Sequence, residues 1–204
     1  MKFTVVKDPI PFLIIDDTYN KEEQIQIYNE LDFFLNKLLG PDDTGTAVNK
    51  DGVKKNNKGL FLDRVYSDRK FSNILNINRK LFNTDVKENL LKCHSAYSLL
   101  DNTNYDSTLL SYYDNGGSYF SHKDYAVITC VTWFYKQPKN FIGGNFKFTD
   151  YNLDVEVKNN RSIIFFSPYT HEVSEVSLLD KTVPGSGRFT LSTFCSITLN
   201  KNDN

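Results

Sequence analysis

Two short apolar runs, residues 3–6 and 12–15, flank Pro9 and Pro11 and predict a first strand or strand pair. Polar residues 16–20 follow, and Asn20 with Glu23 has the spacing of a capping box. Ile25, Tyr28, Leu31, Leu35 and Leu38 then recur at helical spacing until Gly40. That spacing predicts an amphipathic helix of about five turns at roughly 3.6 residues per turn. Residues 41–59 interrupt the pattern. They are rich in Asp, Asn, Lys and Gly and hold few apolar positions. A stretch of that kind is either a disordered surface loop or a substrate lid, and both readings stand open. Residues 58–63 read as a strand leading out of it. Ser67 is placed to cap a second helix through Phe82, with Phe71, Ile74, Leu75 and Phe82 inward. Thr84 is placed to cap a third through Lys92, with Val86, Leu90 and Leu91 inward.

From Ala96 the pattern turns to β. Residues 96–100 and 107–113 are strand candidates, and 126–135 are almost wholly β-branched or aromatic. Gly143-Gly144 breaks the chain before 145–149. Residues 153–157, 161–166, 171–176 and 189–199 complete the set. About eight strands separated by turn signals predict a sandwich or jelly roll. No internal repeat or linker is visible. The expected organisation is one domain over 1–204, in which 1–95 supply helical and strand support and 96–200 form the β-core.

Composition narrows the function classes. The chain has 204 residues, 14% of them aromatic, and a formal net charge of -1. That charge offers no electrostatic footprint for nucleic acid or an anionic membrane. Cys93, Cys130 and Cys195 form no C-x-x-C pair and read as thiols in a reducing compartment. Residues 1–7 lack the apolar region of a signal peptide, and no later run approaches a membrane span. The expectation is a soluble cytoplasmic protein.

The chemistry gathers at residues 113–124, Y-D-N-G-G-S-Y-F-S-H-K-D. His122 and Asp124 stand at i and i+2, which on an extended chain point to one face. The chain holds three histidines. His94 follows the third predicted helix, has no acidic or histidine partner at ligand spacing, and reads as a helix-end residue. His171, just beyond the apolar run 162–166, is the natural third ligand. Two imidazoles and one carboxylate make the facial triad of non-haem Fe(II) oxygenases, which leaves metal positions open.

The order Y-x-x-G-G-x-Y-x-x-H-x-D, G-G-N-F, R-S-I-I-F-F-S, H-E-V and G-x-R-F-T-L-S-T-F resembles the 2-oxoglutarate- and Fe(II)-dependent dioxygenases, and within them the prolyl-hydroxylase-like branch. It covers residues 109–199. The resemblance implies a mostly β fold with N-terminal helices, its core a double-stranded β-helix. It implies Fe(II) on His122, Asp124 and His171, with 2-oxoglutarate and O2 as cosubstrates and ascorbate as a stimulating reductant. It implies that Arg188 and Thr190 take the far carboxylate of 2-oxoglutarate and that the Tyr113 hydroxyl reaches the cosubstrate. Thr129 and Trp133 lie on a strand expected to line the same pocket. The segment between His171 and Arg188 is longer than the family pattern, because 178–187 looks inserted, so Lys181 is a rival anchor.

Asp124 excludes the halogenase variant, which has a small residue there. The nucleic-acid dealkylating branch carries a second arginine a few residues beyond the anchor, and residues 189–194 lack it. The implied activity is hydroxylation of a peptidyl residue, proline first, with release of succinate and CO2. The same chemistry on a free amino acid or metabolite is the alternative, and a catalytically silent jelly-roll binding domain the remote one. Partners are then a peptide or small-molecule substrate, with no nucleic acid and no membrane; oligomeric state is left open.

Overall fold

The apolar runs beside Pro9 and Pro11 form β1 (Lys2–Val6) and β2 (Phe12–Asp16), paired antiparallel with Phe3 opposite Ile15. These coordinates are a computed structural model that describes residues 1–44, 52 and 54–198. The expected capping box is present at the start of α1 (Lys21–Phe34): the Asn20 side chain accepts from Glu23 N–H, and Glu23 accepts from Asn20 N–H. The helix ends in a 3-10 turn, Leu35–Lys37. Its buried stripe is Ile27, Glu30, Leu31 and Phe34, so the expected inward Ile25 lies on the solvent side, 61% exposed. The centre of the 41–59 stretch read as a loop or lid, residues 45–51 and 53, lies outside the described residues. Its end does not: the chain is extended from Lys54 and enters β3 (Lys58–Phe61).

A short helix α2 (Leu62–Val65) follows. The single helix expected from Ser67 to Phe82 is instead three pieces: a 3-10 turn Arg69–Phe71, α3 (Asn73–Asn78) and a 3-10 turn Arg79–Phe82. Asp68 and Ser72 each accept a backbone N–H and restart the helix, and Phe71 is left 79% exposed. Asn83, rather than Thr84, caps α4 (Thr84–Cys93), and Leu91 faces outward. His94 ends that helix as expected. It also explains why 96–100 is not a strand: its Nδ1 accepts from Ala96 N–H and starts a 3-10 turn, Ser95–Asn102. Tyr97 and Leu100, three apart, supply the buried side of that turn.

The remaining strands are β4 (Tyr105–Tyr113), β5 (Tyr119–His122), β6 (Ile128–Phe134), β7 (Phe141–Gly143), β8 (Phe146–Phe148), β9 (Leu153–Val155), β10 (Arg161–Phe166), β11 (His171–Val173), β12 (Val176–Leu178) and β13 (Arg188–Ser196). All pairings are antiparallel. The large sheet runs β1-β2-β10-β6-β13-β4-β3, a smaller one β5-β11-β8-β9, and β12 pairs with β7. Gly143, at φ +71, lets β7 approach β12: a Cβ there would run into the Glu175 carbonyl.

Period-two alternation sorts the large sheet's side chains. Val131, Trp133, Ile163 and Phe165 pack inward against Phe146, Phe148 and Val173 of the small sheet. The opposite face meets the helices: Ile128, Cys130, Ile164 and Cys195 pack on α4, and Leu110, Phe189 and Leu191 pack with α1 and α3 residues. The expected cysteines are thus three buried free thiols. No helix of the described residues is long and apolar enough to cross a membrane.

Glu30 joins two of the supporting helices. Buried on α1, it accepts from the Ser72 hydroxyl at 2.6 Å and the Ile74 N–H at 2.9 Å, and so satisfies the open N-terminus of α3. Glu30→Leu leaves both donors unpaired in a dry site. The expected loss is about 1–3 kcal/mol, read as a lower denaturation midpoint at unchanged slope. An unshifted midpoint would remove Glu30 from this role.

Candidate metal centre

Pairing of β5 with β11 sets His171 directly opposite His122, with ring centroids 4.3 Å apart. His122 is the last residue of β5. Two residues on, Asp124 is held by its N–H donating to the Ser167 carbonyl at 3.2 Å. This brings Asp124 Oδ1 to 3.7 Å from His122 Nε2 and Oδ2 to 3.6 Å from His171 Nε2. One donor atom from each of the three lies within 4.8 Å of the others. A single ion between them is within reach of all three.

Each imidazole is oriented from behind. His122 Nδ1 lies 2.9 Å from the Phe120 carbonyl, and His171 Nδ1 lies 2.8 Å from the Tyr169 carbonyl. A carbonyl has no proton to give, so each Nδ1 donates, and each Nε2 is turned toward the shared point beside Asp124. Aromatic rings fix the planes: Tyr119 stacks on His122 at 3.6 Å, and Phe146 on His171 at 5.2 Å. Burial, then His171, and more weakly Lys55, push the His122 imidazole down to about 3, with the Phe120 carbonyl opposing. His122 is therefore neutral at neutral pH, as a ligand must be. Burial raises the Asp124 carboxyl, while His171 and the Thr129 hydroxyl hold it down.

Thr129 was expected on the cosubstrate wall. Instead its hydroxyl donates to Asp124 Oδ2 at 2.8 Å and lies 2.8 Å from the Ser167 hydroxyl, behind the carboxylate. Trp133 also stays off the wall. It is buried against Phe146, centroids 5.7 Å apart, because the small sheet covers that end of β6. Of the inward residues on β6, Val131 lines the cavity.

Behind the triad is a small cavity of about 70 Å³, walled by Tyr113, Val131, Phe146, Arg188 and Thr190 among others. Antiparallel pairing puts Arg188 opposite Tyr113 and Thr190 opposite Ser111, all on the inward face. Arg188 is fully buried, its guanidinium 4.6 Å from the Tyr113 ring centroid. It donates to the Gly144 carbonyl and, at 3.2 Å, to Thr190 Oγ1, while its Nε has no partner. No carboxylate forms an ion pair with it among the described residues. Burial pushes the guanidinium down to about 10, with Tyr113 opposing, so it stays cationic at neutral pH. Burial likewise raises the Tyr113 hydroxyl, which Arg188 and the Asn57 side chain partly offset. Lys181 is exposed and lines neither this cavity nor its neighbour.

In front of the triad is a wider cavity of about 420 Å³. The two share Leu109, Tyr119, His122, Asp124 and Phe194, so His122 and Asp124 sit where they meet, with His171 on the small-cavity side. Three residues at this site escaped the sequence reading: Ser167, Lys55 and Asn57. Ser167 carries no signal of its own. Lys55 and Asn57 do, as alternate positions before a strand, but polar side chains turned inward look like solvated ones.

No protein-family model and no curated protein matches the sequence. Solved structures do match. A prolyl-4-hydroxylase from Pseudomonas putida superposes with a TM-score of 0.57 at 14% identity, covering 92% of this chain and 93% of that one. An oxidoreductase of the 2OG-Fe(II) oxygenase family from Burkholderia pseudomallei gives 0.58 at 13%, covering 94% and 87%. A viral collagen prolyl hydroxylase from Paramecium bursaria Chlorella virus-1, solved with 2OG, gives 0.51 at 13%, covering 95% and 99%. The chain thus has the fold of the 2OG-Fe(II) oxygenases, at a sequence distance where the likeness speaks for the fold alone.

Proposed function

We propose that this protein is an Fe(II)- and 2-oxoglutarate-dependent dioxygenase built on a jelly-roll, double-stranded β-helix core. The observation that carries the reading is the alignment of two buried features. An oriented His122–Asp124–His171 set opens onto a cavity whose far end holds a buried, unpaired Arg188 cation. The donor set fits Fe(II): two imidazole Nε2 atoms and one carboxylate, with room for further ligands. The orphaned Arg188 Nε and the absence, among the described residues, of an ion-paired carboxylate fit a ligand that brings its own carboxylate.

Iron with 2-oxoglutarate and O2 supplies the oxidising power for C–H hydroxylation, with release of succinate and CO2. The chain's own residues do the placing. His122, Asp124 and His171 would hold the metal, and the Phe120 and Tyr169 carbonyls and the Thr129 hydroxyl fix their orientation. Arg188, with Thr190 beside it and Tyr113 stacked on it, would hold the far carboxylate of 2-oxoglutarate. Tyr119, Phe146 and Phe194 would give this part of the site apolar walls. The substrate would enter by the wider cavity. A peptidyl residue, proline first, is the reading that the prolyl-hydroxylase neighbours favour; a free amino acid is the other.

Two measurements test this. Anaerobic Fe(II) and 2-oxoglutarate added together should give a visible metal-to-ligand absorption band. Succinate release should then rise with one member of a panel of proline-containing peptides and free amino acids. A protein that binds neither metal nor 2-oxoglutarate would remove the reading.

A further inference from the structure

The chain that follows the undescribed residues carries an unassigned cation. Asn56 exchanges two backbone hydrogen bonds with Ser118, both 2.9 Å, and Lys58 then opens β3. The segment is therefore extended and its side chains alternate. Lys54, Asn56 and Lys58 face solvent, whereas Lys55, Asn57 and Gly59 are buried. Asn57 reaches the Tyr113 end of the site. Lys55 reaches the other side of the triad: it is 3% exposed, with Nζ 5.7 Å from the Tyr119 ring centroid, and lines the 420 Å³ cavity.

Among the described residues Lys55 makes no side-chain hydrogen bond and no ion pair. Among the described residues the sole carboxylate on that cavity wall is Asp124, already engaged by Thr129 and set between the two histidines. The other walls include Phe61, Leu109, Tyr119 and Phe194. An ammonium placed there without an anion is costly, and an incoming carboxylate removes that cost. A cavity with aromatic and aliphatic walls, one buried cation and a second, exposed one at its rim, Lys123, matches a ligand with an apolar body and an acidic group.

We propose that Lys55 is a substrate-recognition residue, and that the substrate carries a carboxylate which pairs with it while an adjacent apolar part lies over the metal site. This deepens the dioxygenase reading and rests on it for the meaning of "substrate", though not for the binding itself. The carboxylate has two sources: the α-carboxylate of a free amino acid, or an acidic side chain beside the target residue of a peptide.

The test is calorimetric titration of wild type, Lys55→Met and Lys55→Arg. Each is run metal-free and again loaded with Mn(II) and 2-oxoglutarate. The probes are N-acetyl-L-proline, its carboxamide, and N-acetyl-prolyl-glutamate amide with its glutamine counterpart. Lys55→Met keeps the packed stem and removes the charge. Wild type should bind one acid at least about tenfold more tightly than its neutral partner. Lys55→Met should erase that preference, and Lys55→Arg should keep it. A preference within the first pair assigns the α-carboxylate, and one within the second pair the acidic side chain. Equal or undetectable binding of acid and neutral partner, or a preference that survives Lys55→Met, overturns the proposal. So does a loss of 2-oxoglutarate affinity in Lys55→Met, which would make Lys55 a cosubstrate residue. A protein that fails to load metal or 2-oxoglutarate refutes the dioxygenase reading instead, and the metal-free titrations still decide the role of Lys55.

Discussion

His171→Ala is expected to remove most Fe(II) or Mn(II) binding, and Asp124→Ala to abolish hydroxylation. The wild-type protein should bind about one ion per chain, because one convergent set of three is present among the described residues. The size of the effect follows from the packing. His171 is buried on β11 between Phe146 and Phe165, so its removal leaves apolar walls and no replacement donor. The nearest carboxylate, Asp124, is already one of the three. Metal content read by atomic spectroscopy and turnover read by succinate release separate the two variants. Unaltered stoichiometry in His171→Ala, or wild-type turnover in Asp124→Ala, would show that the metal sits elsewhere.

Elements whose burial is apolar were legible from the sequence. The Asn20–Glu23 capping box, β6 with its β-branched and aromatic run, β10 and β13 all fall where periodicity puts them. What failed was local hydrogen bonding set against weak periodicity. Residues 67–82 contain enough apolar positions for one helix, yet Asp68 and Ser72 side chains each take a backbone N–H and divide it. Residues 96–100 look like a strand until His94 caps the turn before them. The three-residue strands β7 and β12 are too short to show a period and exist because Gly143 allows a close approach.

The site was legible for a different reason. His122, Asp124 and His171 are chemically distinctive, and the chain has few histidines to choose from. The registers of β5 with β11 and of β4 with β13 then bring Tyr113, His122, His171, Arg188 and Thr190 to one cavity. Thr129 was misplaced by one layer. Alternation points it inward, but whether an inward hydroxyl meets a cavity or a carboxylate depends on the turn after β5, which periodicity does not reach. Lys55 and Asn57 were missed because a polar run offers no contrast between its buried and exposed faces.

Arg188→Ala is expected to weaken 2-oxoglutarate strongly while leaving metal affinity nearly intact. The guanidinium is fully buried, keeps one N–H unpartnered, and lies at the end of the cavity away from Lys55. A carboxylate bound there is desolvated, so losing its cation costs roughly 2–5 kcal/mol, or about one and a half to four decades in affinity. Arg188→Met serves as the companion variant, since it refills most of the volume beside Tyr113 and separates lost charge from a collapsed cavity. The folded state should tolerate both changes, because a buried cation without a carboxylate stabilises little by itself. Lys181→Ala should do little, since Lys181 is exposed in the turn between β12 and β13 and lines neither cavity. Titrating the anaerobic Fe(II) complex with 2-oxoglutarate and following its metal-to-ligand band gives the apparent affinity for each variant. A large loss in Lys181→Ala with none in Arg188→Ala would require the 179–187 turn to fold inward over the metal. The cosubstrate would then be anchored by lysine, and the buried Arg188 would be left as a purely structural cation held by Gly144, Thr190 and Tyr113.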